Sequence, residues 1–180
     1  MAFTRMDQGS VDDWMVIAQE HAPYQAQVAE RILAMLRALQ SFTGGFGVDQ
    51  LAHALQTATL AERAGAPEDL VVGALCHDIG KAITTANHPA IAAEIIKAYV
   101  SEETYQIVRT HQDFQGRHYY AYLGKDPEAR EQHKDQPWYA MAERFTDEWD
   151  QSAFDPSYDS ETLEHFEPLV RKVFGEVKIA

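Results

Sequence analysis

The stretch QLAHALQTATLAERAGAPEDLVVGALCHDIGK, residues 50–81, decides the fold. Its apolar residues recur at spacings of three and four, which is typical of helices with one buried face. Asp49 can cap a first helix and Gly65 can end it, while a second helix can run from Pro67 to His77. The stretch therefore predicts two consecutive helices, the second of which ends at an adjacent histidine and aspartate.

The rest of the chain continues the same helical pattern, and runs of alternating apolar and polar residues are hard to find. Further helices are predicted at 24–40, 88–100, 102–114, 137–152 and 160–174, after a short helix capped by Ser10 and Asp13. We therefore predict an all-α protein with one compact domain. Within it, residues 1–45 form N-terminal helices that pack on a bundle, and residues 46–180 form the core with a C-terminal helix.

Composition narrows the classes of partner. Fifteen basic residues against 28 acidic residues give a formal charge of −13, which would repel nucleic acid and anionic membranes. The N-terminal MAFTRMDQGSVDDW has no basic segment followed by an apolar one, so we expect a cytoplasmic protein. Cys76 is the one cysteine, so a metal site would have to use nitrogen and oxygen ligands.

His77 and Asp78 can point at one centre only near a helix end, because neighbours on a helix lie about 100° apart. An aspartate beside a histidine suits a site for two metal ions, since the carboxylate can bridge both. Further candidate donors lie on other predicted helices: His53, His88, His111, and Asp147 or Asp150. Three of the other four histidines, His21, His133 and His165, lie in polar contexts and are predicted to be ordinary core or surface residues.

The order H…HD…H…H…D, together with HDIGK at 77–81, resembles the HD-domain superfamily of helical metalloproteins. Within it, residues 50–81 are similar to the diiron oxygenase branch, which includes the glycine-forming phosphonate oxygenase and myo-inositol oxygenase. The resemblance implies a mixed-valence Fe(II)/Fe(III) pair bridged by Asp78. It also favours Asp150 over Asp147, because Asp150 follows an aromatic residue. The implied ligands are His53, His77, Asp78, His88, His111 and Asp150.

The loop SFTGGFG, residues 41–47, carries neither the tyrosine nor the glutamate that gate the iron in the phosphonate oxygenase. Lys81 matches the lysine of HDIGK in inositol oxygenase and in many HD phosphohydrolases. Asp78 and Lys81 are therefore the predicted catalytic residues. Six donors with two negative charges favour an anionic, oxygen-rich substrate. The predicted substrate-binding residues are Lys81, Gln56, Gln115, Arg117, His118 and Arg144.

Two enzyme activities fit this ligand set. In the preferred one, a diiron oxygenase uses O2 to cleave a C–H bond and then a C–P or C–C bond of a small organophosphonate or polyol. In the alternative, a phosphohydrolase with manganese or zinc cleaves a phosphate ester or nucleotide. A metal-stabilised binding module without turnover is the third possibility. The predicted partners are a small anionic substrate and O2, without nucleic acid or membrane, and the sequence does not predict the oligomeric state.

Overall fold

The computed structural model describes residues 3–178, and within them it contains helices and turns but no strand, which confirms the all-α prediction. None of the helices within this range has the length and apolar composition needed to span a bilayer. The eight α-helices are α1 (Val11–Gln25), α2 (Val28–Ala38), α3 (Gln50–Arg63), α4 (Glu68–Cys76), α5 (His88–Ile96), α6 (Glu102–Gln115), α7 (Tyr139–Arg144) and α8 (Leu163–Phe174).

The core lies where α3 packs along α4, α5 packs along α6, and α8 covers α2 and α4. On α3, Ala54, Ala58 and Ala61 are completely buried, and these small side chains allow α4 to approach closely. Larger apolar residues from the other helices fill the remaining space. They include Leu33, Leu36, Leu39, Leu70, Leu75, Ile96, Ile107, Phe114, Phe145 and Phe166.

The helix predicted at 24–40 is confirmed from Val28 to Ala38, but its predicted start is wrong, because residues 24–25 belong to α1. The chain leaves α1 after Gln25, and α2 begins at Val28. Residues 24–27 are exposed, and the side-chain amide of Gln25 donates a hydrogen bond to the Tyr99 hydroxyl at 2.7 Å. The apolar stripe seen in the sequence becomes buried only from Ile32 onward.

The two N-terminal helices differ in their packing. Helix α2 buries Ile32, Leu33 and Leu36, whereas every residue of α1, all of it within the described part of the chain, is exposed or half-buried. The predicted capping box is present in α1: the Ser10 hydroxyl accepts from the Asp13 amide, and the Asp13 carboxylate accepts from the Ser10 amide. Local capping, rather than core packing, therefore stabilises the start of α1.

The start of α3 and the ends of α3 and α4 are close to the sequence prediction. The Asp49 carboxylate caps α3 by accepting the Ala52 amide at 2.9 Å, and Gly65 follows α3 with a φ of +73°. Pro67 precedes the first residue of α4 instead of lying within its first turn. The helix ends at Cys76, so His77 and Asp78 lie where the chain turns away.

The predicted helix at 137–152 is interrupted. Helix α7 ends at Arg144, a π turn spans Phe145–Trp149, and a 3-10 turn follows at Asp150–Ser152. A π turn inserts one extra residue into the helical repeat and rotates everything after it. This rotation decides which acidic residue of the segment faces the core.

Candidate metal centre

Six buried polar side chains meet at the centre of the bundle, and each arrives from a different helix or helix end except for one adjacent pair. His53 lies in the middle of α3, His88 opens α5, and His111 lies in the last turn of α6. His77 and Asp78 follow α4, and Asp150 follows the π turn. All six are exposed by 6% or less: His53, His77, Asp78, His88, His111 and Asp150.

The four histidines are oriented in the same way. In each imidazole, Nδ1 lies within hydrogen-bonding distance of a backbone carbonyl: Ala153 for His53, Ala74 for His77, Thr85 for His88 and Val108 for His111, at 2.7 to 3.0 Å. Because a carbonyl oxygen can only accept, Nδ1 must carry the hydrogen in every ring. The Nε2 atoms therefore present lone pairs to the centre, as in histidines that bind metals.

One set of donors surrounds Oδ1 of Asp150. The Nε2 atoms of His53 and His77 lie 3.1 and 3.4 Å from this oxygen and 3.1 Å from each other. Oδ2 of Asp78 completes the set, at 3.4 Å from His53 and 3.3 Å from His77. Two imidazoles and two carboxylate oxygens thus face a common point.

A second set surrounds the other oxygen of Asp78. The Nε2 atoms of His88 and His111 lie 3.1 and 3.6 Å from Asp78 Oδ1. Asp78 therefore faces one pair of histidines with each of its two oxygens. This is the arrangement expected of a carboxylate that bridges two ions.

The spacing within each set fits a shared cation. Two donors that are each about 2.1 Å from one ion lie roughly 3.0 Å apart at a right angle and roughly 3.4 Å apart at the tetrahedral angle. The separations from the carboxylate oxygens to the imidazoles, and between the Nε2 atoms of His53 and His77, are 3.1 to 3.6 Å. The donors that all lie within 4.8 Å of one another form two groups, His53 with His77 and Asp150, and His77 with Asp78 and His111. The nitrogen and oxygen donors would suit iron, manganese or zinc.

The carboxylates supply a second test of fit. One oxygen of each is bound by a side chain: Asp78 Oδ2 accepts from Lys81 at 2.5 Å, and Asp150 Oδ2 accepts from Gln115 at 2.6 Å. Within residues 3–178, the two Oδ1 atoms are buried and receive no hydrogen bond. A buried anionic oxygen without a partner is costly, and a metal ion at each Oδ1 would remove that cost.

Without a metal, the histidines between the two aspartates bind protons more readily. Burial by itself disfavours a charged His77, but Asp78 and Asp150 outweigh it and raise the pKa of His77 to about 10. The pKa of Asp78 and that of Asp150 are lowered despite their burial, because His77 and His53 stabilise their anionic forms. Burial lowers the pKa of His111. A proton on His77 thus partly takes the place of a cation between the two aspartates.

The π turn separates Asp147 from Asp150. Asp150 is completely buried among the histidines. Asp147 points away from them, with Oδ2 at 3.2 Å from Arg130 and 3.4 Å from Arg117. In a regular helix the two aspartates would share a face, and the extra residue of the π turn places them on different sides.

Two of the predicted substrate-binding residues lie at this centre. Lys81 contacts Asp78, and its ammonium also donates to Gln50 at 2.7 Å. Gln115 contacts Asp150. The side chain of Lys81 is 16% exposed, so it leads from the buried centre towards solvent.

Three other predicted substrate-binding residues lie on the surface and pair with acidic residues. The Nε2 atom of His118 lies 3.9 Å from Asp147, which is also the partner of Arg117. Arg144 bonds Glu148 at 3.0 Å and lies over the ring of Trp149. None of the three has a hydrogen bond or ion pair to the six central residues in the described part of the chain.

The prediction that Gln56 orients a ligand or substrate needs correction. Its amide is buried, but Nε2 donates to the Asp155 carbonyl at 2.8 Å and Oε1 accepts from the Asp155 amide at 3.2 Å. Both polar atoms are therefore committed to the backbone of the segment after the π turn. Gln56 holds that segment against α3 instead of reaching the centre.

Sequence reasoning missed two residues beside the centre. Gln50 is 1% exposed and accepts from Lys81, yet a glutamine at the first position of a helix carries no metal-binding signal. The ring of Phe154 stacks on His53 with centroids 4.2 Å apart, and Phe46 stacks on the other side of Phe154 at 4.4 Å. The aromatic loop residue Phe46 thus covers one wall of the centre.

A protein-family model matches the part of the chain that contains the metal centre. The family model described as HD domain matches residues 51–150, which include all six central residues. A search of curated proteins finds no match.

Proposed function

This chain belongs to the HD domain family, and we propose that it is a dinuclear metal enzyme acting on a small anionic substrate. The observation that carries the proposal is the placement of Asp78, whose two oxygens face two separate pairs of histidines. A mononuclear centre would leave the His88 and His111 pair without a function. With two ions, every Nε2 atom and both orphaned oxygens gain a partner.

The first ion would have more protein ligands than the second. His53, His77, Asp150 and one oxygen of Asp78 would hold the first ion. His88, His111 and the other oxygen of Asp78 would hold the second, which has one protein donor fewer. Substrate is therefore expected beside His88 and His111. Two bound metal ions supply Lewis acidity, and a redox-active pair also supplies electrons for reaction with O2.

The charge of the centre supports an anionic substrate. Two carboxylates face two ions that together carry four or five positive charges, and the histidines, once metal-bound, are neutral. The Lys81 ammonium adds a further positive charge 2.5 Å from Asp78. The metal centre would thus be cationic within a protein whose formal charge is −13. A phosphonate or phosphate group would complement it, and the overall negative charge would exclude polyanions such as nucleic acid.

For the reaction, we propose O2-dependent cleavage of a C–H bond followed by a C–P or C–C bond. The support is the similarity of residues 50–81 to the diiron oxygenases and the six donors, which exceed the four that a mononuclear hydrolase needs. The chain's own residues would orient the substrate. Lys81 would bind its anionic oxygen, Gln115 would hold Asp150 in place, and the Phe154 ring would keep water from the His53 side.

A phosphohydrolase is the second candidate. Members of the HD domain family are generally metal-dependent enzymes and mostly hydrolases, which favours this activity independently of the site geometry. The same residues would then hold manganese or zinc, water would attack phosphorus, and Lys81 would stabilise the negative charge on the departing alcohol oxygen. The two candidates share the metal centre and differ in the metal and in the requirement for O2.

Metal analysis and electron paramagnetic resonance on protein purified aerobically without chelator separate the candidates. An oxygenase should contain about two irons per chain, give a mixed-valence signal, and consume O2 only with an organophosphonate or polyol substrate. A hydrolase should release phosphate from an ester under anaerobic conditions with manganese or cobalt. Asp78→Ala should lose both metal and turnover, and an Asp78→Ala protein that keeps both would contradict the dinuclear centre.

A further inference from the structure

Gln50 is a buried polar residue that contacts the lysine of the centre rather than the ligands themselves. It is the first residue of α3 and is 1% exposed. Its Oε1 accepts a hydrogen bond from the Lys81 ammonium at 2.7 Å, and its Nε2 lies 3.5 Å from the carbonyl of Thr43. Its backbone amide donates to the carbonyl of Phe42 at 2.8 Å. One residue therefore connects the loop at 41–47 with Lys81.

The contacts of Lys81 show how Gln50 affects the orientation of the ammonium. An ammonium group has three N–H donors and rotates freely unless its partners hold it. Asp78 Oδ2 accepts one of the three, and Gln50 Oε1 accepts another. With two donors fixed, the direction of the third is fixed as well. No other acceptor within residues 3–178 bonds this ammonium, and the side chain is 16% exposed.

Asp78 alone would not orient the ammonium. With a single carboxylate acceptor, the lysine chain could still turn about the hydrogen bond between Nζ and Asp78 Oδ2, so the remaining two N–H groups would sweep a cone. The neutral amide oxygen of Gln50 stops this rotation without adding a second negative charge that would compete for the lysine. A buried glutamine must find partners for its polar atoms, because unpaired polar atoms are costly to bury. The Lys81 ammonium is the partner of its Oε1 atom.

We infer that Gln50 is a positioning residue, which holds the Lys81 ammonium against Asp78 so that its third N–H is directed at an oxyanion of the substrate. The inference rests on the proposed function, because it takes the cluster around Asp78 to be the reactive centre. The substrate class that fits is a phosphonate or phosphate, whose tetrahedral oxygens accept charge-assisted hydrogen bonds. Gln50 itself does not contact the substrate and acts through Lys81.

The test uses inorganic phosphate as the probe and the full chain loaded with cobalt(II), whose visible absorption reports ligand binding. Gln50→Met removes the acceptor and keeps a similar shape. Gln56→Met is the matched control, because Gln56 is also a buried glutamine of α3 but bonds only the backbone of Asp155. Lys81→Met and the double variant Gln50→Met/Lys81→Met complete a double-mutant cycle.

Gln50→Met should bind two cobalt ions like the wild type but bind phosphate about tenfold more weakly, the scale of one hydrogen bond to a charged group. In the Lys81→Met background the same substitution should change phosphate affinity by less than about twofold, because its effect passes through Lys81. Gln56→Met should leave phosphate affinity unchanged. If Gln50→Met lowers the helical circular dichroism, Gln50→Ala, which removes the same acceptor, takes its place in the cycle.

Phosphate affinity unchanged in Gln50→Met, or weakened equally with and without Lys81, would overturn the inference and leave the metal centre intact. A wild-type protein that loads cobalt but binds no phosphate would overturn the oxyanion assignment. A wild-type protein that takes up no cobalt, manganese or iron would instead contradict the proposed function, and this inference with it.

Discussion

At the scale of single residues, the centre depends on which oxygen atoms lack a partner. Lys81 binds one oxygen of Asp78, and Gln115 binds one oxygen of Asp150. The other oxygen of each aspartate has no hydrogen bond in the described chain. A backbone carbonyl accepts the Nδ1–H of each histidine, so the Nε2 atom of each ring faces the aspartates. Neutral rings that face buried anionic oxygens are unfavourable until a positive charge lies between them, which is a proton on His77 in the metal-free protein.

Asp150→Asn and Asp147→Asn form a matched pair that tests which aspartate binds metal. Asp150→Asn removes the charge beside His53 and His77, so we expect metal affinity at the first position to fall by at least about 100-fold, the scale seen for support residues around metals. Asp147→Asn alters the pairs with Arg117, Arg130 and His118 and, in the described part of the chain, none with the six central residues. It should keep both ions.

Elemental analysis after gel filtration gives the stoichiometry of each variant. Circular dichroism confirms that both remain helical. Equal metal loss in the two variants, or greater loss in Asp147→Asn, would show that the centre has been assigned to the wrong aspartate.

Metal binding should release protons. Asp78 and Asp150 raise the pKa of His77 to about 10, so the metal-free protein carries a proton there at pH 7, whereas a metal ligand must be unprotonated. The pKa lies above the experimental pH, so metal affinity should rise as pH rises from 7 towards 10. Calorimetric titration with manganese in two buffers of different ionisation enthalpy measures the protons released. A value below about 0.5 proton per chain at pH 7 would contradict the raised pKa.

Residue-level prediction from the sequence reached the six central side chains because histidine and aspartate combine chemical specificity with a recognisable order. It did not reach Gln50 or Phe154. Their functions arise from contacts with residues that are distant in sequence, 31 positions away for Lys81 and about 100 for His53. Gln56 was predicted to orient a ligand because helical periodicity places its side chain on the same face as His53. The periodicity does not show that the backbone of Asp155 binds this side chain.

At the scale of elements, Gly80 controls how closely two parts of the centre approach. Its φ lies outside the left-handed region, so conformational freedom does not explain the glycine. A Cβ at this position would collide with the His88 carbonyl oxygen and lie 2.8 Å from the His88 Cα. The turn after Asp78 and the start of α5 are therefore in direct backbone contact, and a side chain between them would move His88.

Gly80→Ala should consequently displace the His88 and His111 pair while leaving the His53 side in place. We expect about one metal ion per chain instead of two, and a loss of roughly 1 to 3 kcal/mol in the free energy of unfolding from overpacking. Gly47→Ala is the control, because its Cβ would meet only ordinary contacts at 3.6 Å or more. Metal analysis and urea denaturation measure both effects. Two tightly bound ions in Gly80→Ala would show that this backbone contact does not position His88.

Elements were predictable where hydrophobic periodicity and caps agreed, as at α3 with Asp49 and Gly65. The π turn at Phe145–Trp149 was not, because a helix with one inserted residue has the same composition and nearly the same period as a regular helix. The break between α1 and α2 was missed for another reason. Local propensity continues through residues 24–27, and all four of these residues are exposed where the chain turns.

At the scale of the whole molecule, the metal-free bundle balances its own buried charge. Two carboxylates, Asp78 and Asp150, lie beside the ammonium of Lys81 and a protonated His77. Two negative charges thus meet two positive charges at neutral pH. The apolar core from α2, α3, α4, α6 and α8 packs around this cluster. We therefore expect the bundle to fold without the metal, unlike small domains whose core is the metal site.

Removal of the metal should accordingly lower the thermal midpoint without unfolding the protein. A metal present at 100 times its Kd stabilises by about 2.7 kcal/mol per site. For a chain of 180 residues this corresponds to roughly 5 to 10 °C for one site and roughly 10 to 20 °C for two. Chelator-treated protein should keep its far-ultraviolet circular dichroism at 25 °C, melt at the lower temperature, and regain the higher midpoint when metal is restored. Asp78→Ala should melt alike with and without added metal. Loss of helical signal on chelation alone would show that the cations, and not His77 and Lys81, neutralise the two aspartates during folding.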